Sequence, residues 1–136
     1  MSNTQYSEMM KNLSQDAVNF VNSEFGQELD FSIGSIKMID EVISQLKLNF
    51  IEQLTDDKVI FTLSNMLGAY CGEVFKQQFG GTWLVTEEQK GQHQCFIEYQ
   101  GKTFPFAGVV YLNLTSENSK SVSDYFSLAA EPFLDV

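Results

Sequence analysis

At 136 residues the chain is the size of one domain, and its 12 Phe, 5 Tyr and 1 Trp supply a core that needs neither disulfide nor metal. Its 18 acidic residues outweigh 8 basic ones, all lysine, for a net charge of −10. Phosphate recognition uses clustered cations and the arginine fork, so nucleic acid and anionic membranes are excluded as expected partners, whereas a basic protein suits this field.

The same charge also serves plain solubility. The opening MSNTQYSEMMKNLSQDAV has neither a basic start nor an unbroken apolar run, so no signal peptide is expected. No later run reaches bilayer length. The expected location is the cytoplasm, where Cys71 and Cys95 stay reduced as buried thiols.

Residues 4–25 predict an amphipathic helix, because Tyr6, Met9, Met10, Leu13, Ala17, Phe20, Val21 and Phe25 recur at helical spacing and Gly26 ends the run. After a short link, Asp30 or Ser32 caps a second helix whose stripe is Ile36, Ile39, Val42, Ile43 and Leu46. Its polar face carries Lys37, Asp40, Glu41 and Lys47. Adjacent acids diverge by roughly 100° on a helix and do not share a site, so this face is expected in solvent. Residues 49–55 then connect to the next element.

Residues 56–83, DDKVIFTLSNMLGAYCGEVFKQQFGGTW, read as a central helix that stops at a double glycine and runs into a strand. Asp56 or Asp57 caps its start. Val59, Ile60, Leu63, Met66, Leu67, Tyr70, Cys71 and Val74 share one broad face, with Gly68, Gly72, Phe75 and Phe79 on an adjacent one. Thr62, Asn65, Ala69, Glu73, Lys76 and Gln77 are left for water or a polar contact. A helix apolar around most of its circumference has neighbours on at least two sides. Each glycine costs about 1 kcal/mol in a helix interior, and two of them four apart open a strip where another backbone can come close.

Strands are predicted at 82–87, 94–99 and 102–104, with a turn at 88–91 and a tight hairpin at Gln100-Gly101. The tail is two-sided. Val109, Val110 and Tyr111 favour a strand over 109–114, while Pro105 suits entry to a helix. Residues 121–130 predict a helix, closed by Pro132. The expected fold is α+β, a single domain over 1–136 with about four helices, in which a long central helix packs against a small antiparallel sheet of about three strands.

LDFSIGSIKMIDEVI (29–43), LGAYCGEVFKQQFGGTW (67–83) and the Pro105-Phe106 step resemble a loosely defined group of small bacterial domains. There, an LD-x-S helix precedes a GAY-x-GEV…GG-x-W helix-to-strand unit. Similar small acidic domains serve as immunity proteins beside secreted antibacterial toxins. The shared motifs are structural, not catalytic. The resemblance implies a helix after Pro105-Phe106. Basic residues are common after GEV in that group, but here the segment is Phe75-Lys76-Gln77-Gln78, so no arginine role carries over.

Candidates for chemistry are few. His93, the only histidine, lies two residues from Cys95, and on one strand that places them about 7 Å apart, too far for a nucleophile–base hydrogen bond. One His and two Cys lack metal spacing, so no metal or cofactor is expected. Glu73 either lines a pocket with Tyr70 and Trp83 or accepts a structural hydrogen bond from the following strand or the Trp83 indole. Asp56, Asp57, Glu87 and Glu88 are the acids best placed for a partner, although cap and turn duties also account for them. The expected function is a non-catalytic protein-binding domain, an immunity protein that neutralises a toxin or effector encoded nearby. The alternatives are an adaptor or regulatory domain that forms a homodimer, and an enzyme using Glu73 or Cys95 with His93.

Overall fold

The computed structural model describes residues 3–87, 93–117 and 119–134. Among them are five helices, α1 (Asn3–Phe25), α2 (Ile36–Asn49), α3 (Asp57–Gln78), α4 (Phe106–Thr115) and α5 (Val122–Ala130). Three strands, β1 (Thr82–Glu87), β2 (His93–Tyr99) and β3 (Lys102–Phe104), form one antiparallel sheet in the order β1-β2-β3. The fold is α+β, with one helix more than expected.

The prominence of α3 comes from burial, not length. It has 22 residues against 23 in α1. Every residue from Met66 to Phe75 is buried, including Ala69 and Glu73, which the helical projection left for water or a polar contact. Its principal neighbours are α1 and α4, and the sheet meets its C-terminal half, so the expected helix-on-sheet arrangement is a helix among helices with a sheet at one end. Asp56 caps the helix, its carboxylate accepting from Lys58 N–H at 2.8 Å. At the other end Gly80 donates to the Lys76 carbonyl at 2.9 Å and takes φ +112°, which a side chain resists.

The glycines within α3 are points of close approach. A Cβ on Gly68 would collide with the backbone of Ala107 in α4, and one on Gly72 with the indole of Trp83. This docking settles the tail. Phe106, Val110 and Leu114, four apart, are buried on one face of α4, and Val109 N–H donates to the Pro105 carbonyl at 3.1 Å. The β preference of Val109, Val110 and Tyr111 is about 1 kcal/mol at most per residue, less than a buried helix face supplies. The strand reading of 109–114 is therefore wrong.

The hairpin register pairs Trp83 with Ile97, and Ile97 with Phe104, so these three side chains turn into the core. Gln100 and Gly101 both take positive φ, +51° and +78°, as a two-residue primed turn requires. Behind the sheet lies an aromatic cluster centred on Phe75, which is fully buried. Its ring lies 4.9 Å from Phe104, 5.1 Å from Phe79, 5.9 Å from Phe106, 6.0 Å from Phe126 and 6.1 Å from Phe133. One side chain thus joins β3, α4, α5 and the C-terminal turn.

The polar face of α2 is not simply solvated. The Asp40 carboxylate accepts from Val122 N–H at 2.8 Å and Ser123 N–H at 3.0 Å, capping α5 from across the domain. Lys47 donates to the Ser116 carbonyl at 3.1 Å and pairs with the exposed Glu117.

Truncating Phe75 to Ala is expected to cost about 3–5 kcal/mol of unfolding free energy, measured by urea denaturation. A loss below about 1 kcal/mol would mean that the cluster does not centre on this ring.

Candidate partner-binding surface

Four elements end around one open groove of about 290 Å³. From α1 come Phe20, Glu24 and Phe25, the last being the final residue of that helix. Leu46 of α2 and its C-cap Phe50 form the second wall. Gln53 and Leu54 enter from the 3₁₀ turn Gln53–Thr55, and Val59 and Leu63 from the first turns of α3. Leu46 and Leu63 are buried beneath, while the other apolar side chains are half-buried. Phe25 stands edge-on to Phe20 at 5.8 Å and to Phe50 at 6.5 Å. Just beyond Phe50, Ile51 is 66% exposed.

One carboxylate lines this apolar surface, and three more lie within three residues of other lining residues in the chain. Glu24 lines it, Glu52 precedes Gln53, and Asp56 and Asp57 stand at the start of α3; all four are exposed. None of them forms a salt bridge among the described residues, and the Asp56 carboxylate accepts from a backbone amide. The helix ends add to the field. Both α1 and α2 finish here, and a helix C-terminus carries partial negative charge. The positive N-terminus of α3 is offset by Asp56 and Asp57. The cations close by in the chain are Lys58 and Lys47, the latter turned to the Ser116 carbonyl and paired with Glu117.

The other acids named from sequence lie elsewhere or undescribed. Glu87 closes β1 opposite His93 in the strand register. Glu88 lies outside the described residues. Of that set, Asp56 and Asp57 lie three and two residues ahead of Val59, a groove-lining residue.

Tyr70, Glu73 and Trp83 divide into two polar contacts. The Trp83 indole N–H donates to Glu73 Oε2 at 2.7 Å, with both residues buried. A charge-assisted bond of this kind is what a carboxylate needs to be retained in a core. The Tyr70 hydroxyl instead accepts from Phe31 N–H at 2.8 Å and lies 2.6 Å from Ser35 Oγ, whose own proton goes to the Ser32 carbonyl. This chain holds Phe31 at φ +62°, unusual for a bulky residue, with its ring 4.8 Å from that of Tyr70. Burial pushes the Tyr70 phenol above its ordinary range, against the lowering effect of these bonds.

Both thiols are free. Burial, with the Asp40 charge as a second cause, pushes the fully buried Cys71 far above the ordinary thiol range. Burial also raises Cys95. Nucleophilic activation runs in the opposite direction. Among the described residues no group of three or more His, Cys, Asp or Glu is arranged to hold a metal ion, and no helix is long and apolar enough to cross a membrane.

No family model and no curated protein matches the sequence. Among solved structures, a crystal structure from Bacteroides thetaiotaomicron VPI-5482 superposes on 93% of the chain with a TM-score of 0.65 and 13% identity. This chain spans 44% of the length of that one. At such identity the likeness shows the fold alone: the same α+β arrangement occurs within a longer chain.

The groove was not legible in advance because its walls come from four elements. A signal was present, however. Phe25 and Phe50 each close a helix, and each is next to, or two residues from, a glutamate.

Two outcomes test the polar assignments. Glu73→Ala leaves the indole N–H unpaired and is expected to cost about 1–3 kcal/mol, with Glu73→Gln costing less. A cycle with Trp83→Phe should give a coupling of at least about 0.5 kcal/mol, and zero coupling would remove the contact. At pH 8 a colourless-to-yellow disulfide reagent should label Cys95 slowly and Cys71 not at all. Raising the pH should speed Cys95 toward the thiolate limit and leave Cys71 silent until the protein unfolds; early reaction at Cys71 would contradict its burial.

Proposed function

We propose that the chain is a protein-binding domain acting without turnover, and specifically an immunity protein that binds and neutralises a toxin or effector encoded nearby, in the cytoplasm. The observation that carries this reading is the apolar groove lined in part by Glu24, with the exposed Glu52, Asp56 and Asp57 within three residues of its other lining residues. An apolar centre with a charged rim is the anatomy of a protein interface. The charge sign suits a basic partner, and complementary fields speed encounter. The resemblance to small immunity domains agrees with it. The enzyme reading loses support because Glu73 is engaged by Trp83 and burial raises Cys95.

An adaptor or regulatory domain that self-associates is the second reading, favoured by one feature. On the outer face of α3 and α4, Phe61 stacks on Tyr111 at 5.7 Å, and Leu112 is 53% exposed. No residue of α4 is charged. Such a face fits a homodimer interface.

Co-expression with the neighbouring open reading frame separates the readings. Rescue of growth from a toxic neighbour, with a stable complex on co-purification, is expected. A harmless neighbour and no complex would exclude immunity, and a concentration-dependent dimer by sedimentation would then support self-association.

A further inference from the structure

We propose that the groove between the ends of α1 and α2 and the start of α3 takes one helix of a basic partner protein, which lays lysines or arginines on the carboxylate rim and inserts a single large apolar side chain. The inference rests on the protein-binding reading of this surface and adds the secondary structure and chemistry of the occupant. Three observations lead to it.

The first is the nature of the walls. Every lining residue lies in a helix or a 3₁₀ turn except Phe50, the C-cap of α2, and none lies in a strand, so the groove offers no strand edge for main-chain pairing. No residue of the edge strands β1 and β3 lines it. Recognition here therefore works by side-chain anchors, as when an amphipathic helix enters a groove. The second is size. At about 290 Å³ the cavity is at the lower limit of the ~300–1,000 Å³ that small-molecule sites span, and it is open on one side. That is room for one aromatic or leucine anchor against Phe25, Phe50 and Leu54. The third is sign. Two helices end at the groove, Glu24 lines it, and the exposed Glu52, Asp56 and Asp57 lie within three residues of its lining, against Lys58 and a Lys47 that is paired with Glu117. An acidic or neutral helix would find the anchor site but not the rim.

The test uses the full chain and a fluorescein-labelled amphipathic peptide of about 18 residues, built from leucine and lysine with one tryptophan in its apolar stripe. A control peptide has glutamate in place of lysine. Fluorescence anisotropy is expected to show binding of the lysine peptide and none of the control. The double variant Glu24→Lys, Glu52→Lys should weaken binding at least about tenfold. Val59→Asp should also weaken it at least about tenfold, although it adds a negative charge. Diffuse attraction of a cation to an acidic protein would instead tighten with Val59→Asp, and that result would overturn the proposal. Equal binding of the control peptide, or no binding of the lysine peptide, would overturn it too. An acid in the first turn suits α3, and circular dichroism checks that Val59→Asp folds. Amide shift mapping on the unaltered protein gives a second, variant-free answer. Perturbations at Phe25, Phe50, Leu54 and Val59 support the groove, and perturbations centred on Phe61 and Leu112 refute it. The two proposals can fail separately: a toxin complex that survives Val59→Asp removes the groove and leaves immunity standing, whereas groove binding with a harmless neighbour does the reverse.

Discussion

The fold depends on how closely two neighbours can approach α3. At Gly68 the backbone of Ala107 occupies the space a side chain would need, and at Gly72 the Trp83 ring does so. Each contact brings in a larger unit. Ala107 positions α4, whose Phe106, Val110 and Leu114 are then buried. Trp83 positions β1, and through the register the rest of the sheet. The roughly 1 kcal/mol that each glycine costs the helix is offset by packing that no larger residue would permit. Ser64, four residues before Gly68, continues this small strip with a buried hydroxyl that lacks a partner among the described residues.

Two ends of one helix then serve different purposes. The C-terminal half of α3 carries Phe75, whose fully buried ring is met by rings from β3, α4, α5 and the last turn. The N-terminal half meets an aromatic group of the same kind, Phe20, Phe25 and Phe50, that nothing among the described residues closes. The apolar surface left open there coincides with a concentration of carboxylates. The same residue types thus occur in complete and in incomplete enclosure along one helix.

Where the sequence was readable, the deciding interactions were local. The end of α1 at Phe25, a cap at Asp56 or Asp57, the stop at Gly80 and the hairpin at Gln100-Gly101 all follow from neighbours in the chain, and the structure has each, with Asp56 as the cap. The helix at Phe106–Thr115 was ambiguous because its β-branched run favours a strand and only docking on Gly68 decides otherwise. Asp40 was read as solvent-facing because its partners, Val122 and Ser123, are about 80 residues away in a segment with an adequate cap of its own in Ser121. Glu73 could be narrowed to two roles, since an acid on the flank of an apolar helix needs a donor, and the indole N–H ten residues on was within reach of the turn at Gly80-Gly81.

The long-range cap from Asp40 has a consequence for motion. Nine residues are too few for a helix to persist by its own hydrogen bonds, so α5 draws its order from outside. Its first turn is fastened to α2 by the Asp40 carboxylate, and the turn that follows it is fastened to the Phe75 ring by Phe133. With both ends anchored on separate parts of the core, α5 has no free end from which to fray. Helix α5 therefore opens together with the core instead of ahead of it, and its early amides exchange with solvent at the pace of global unfolding.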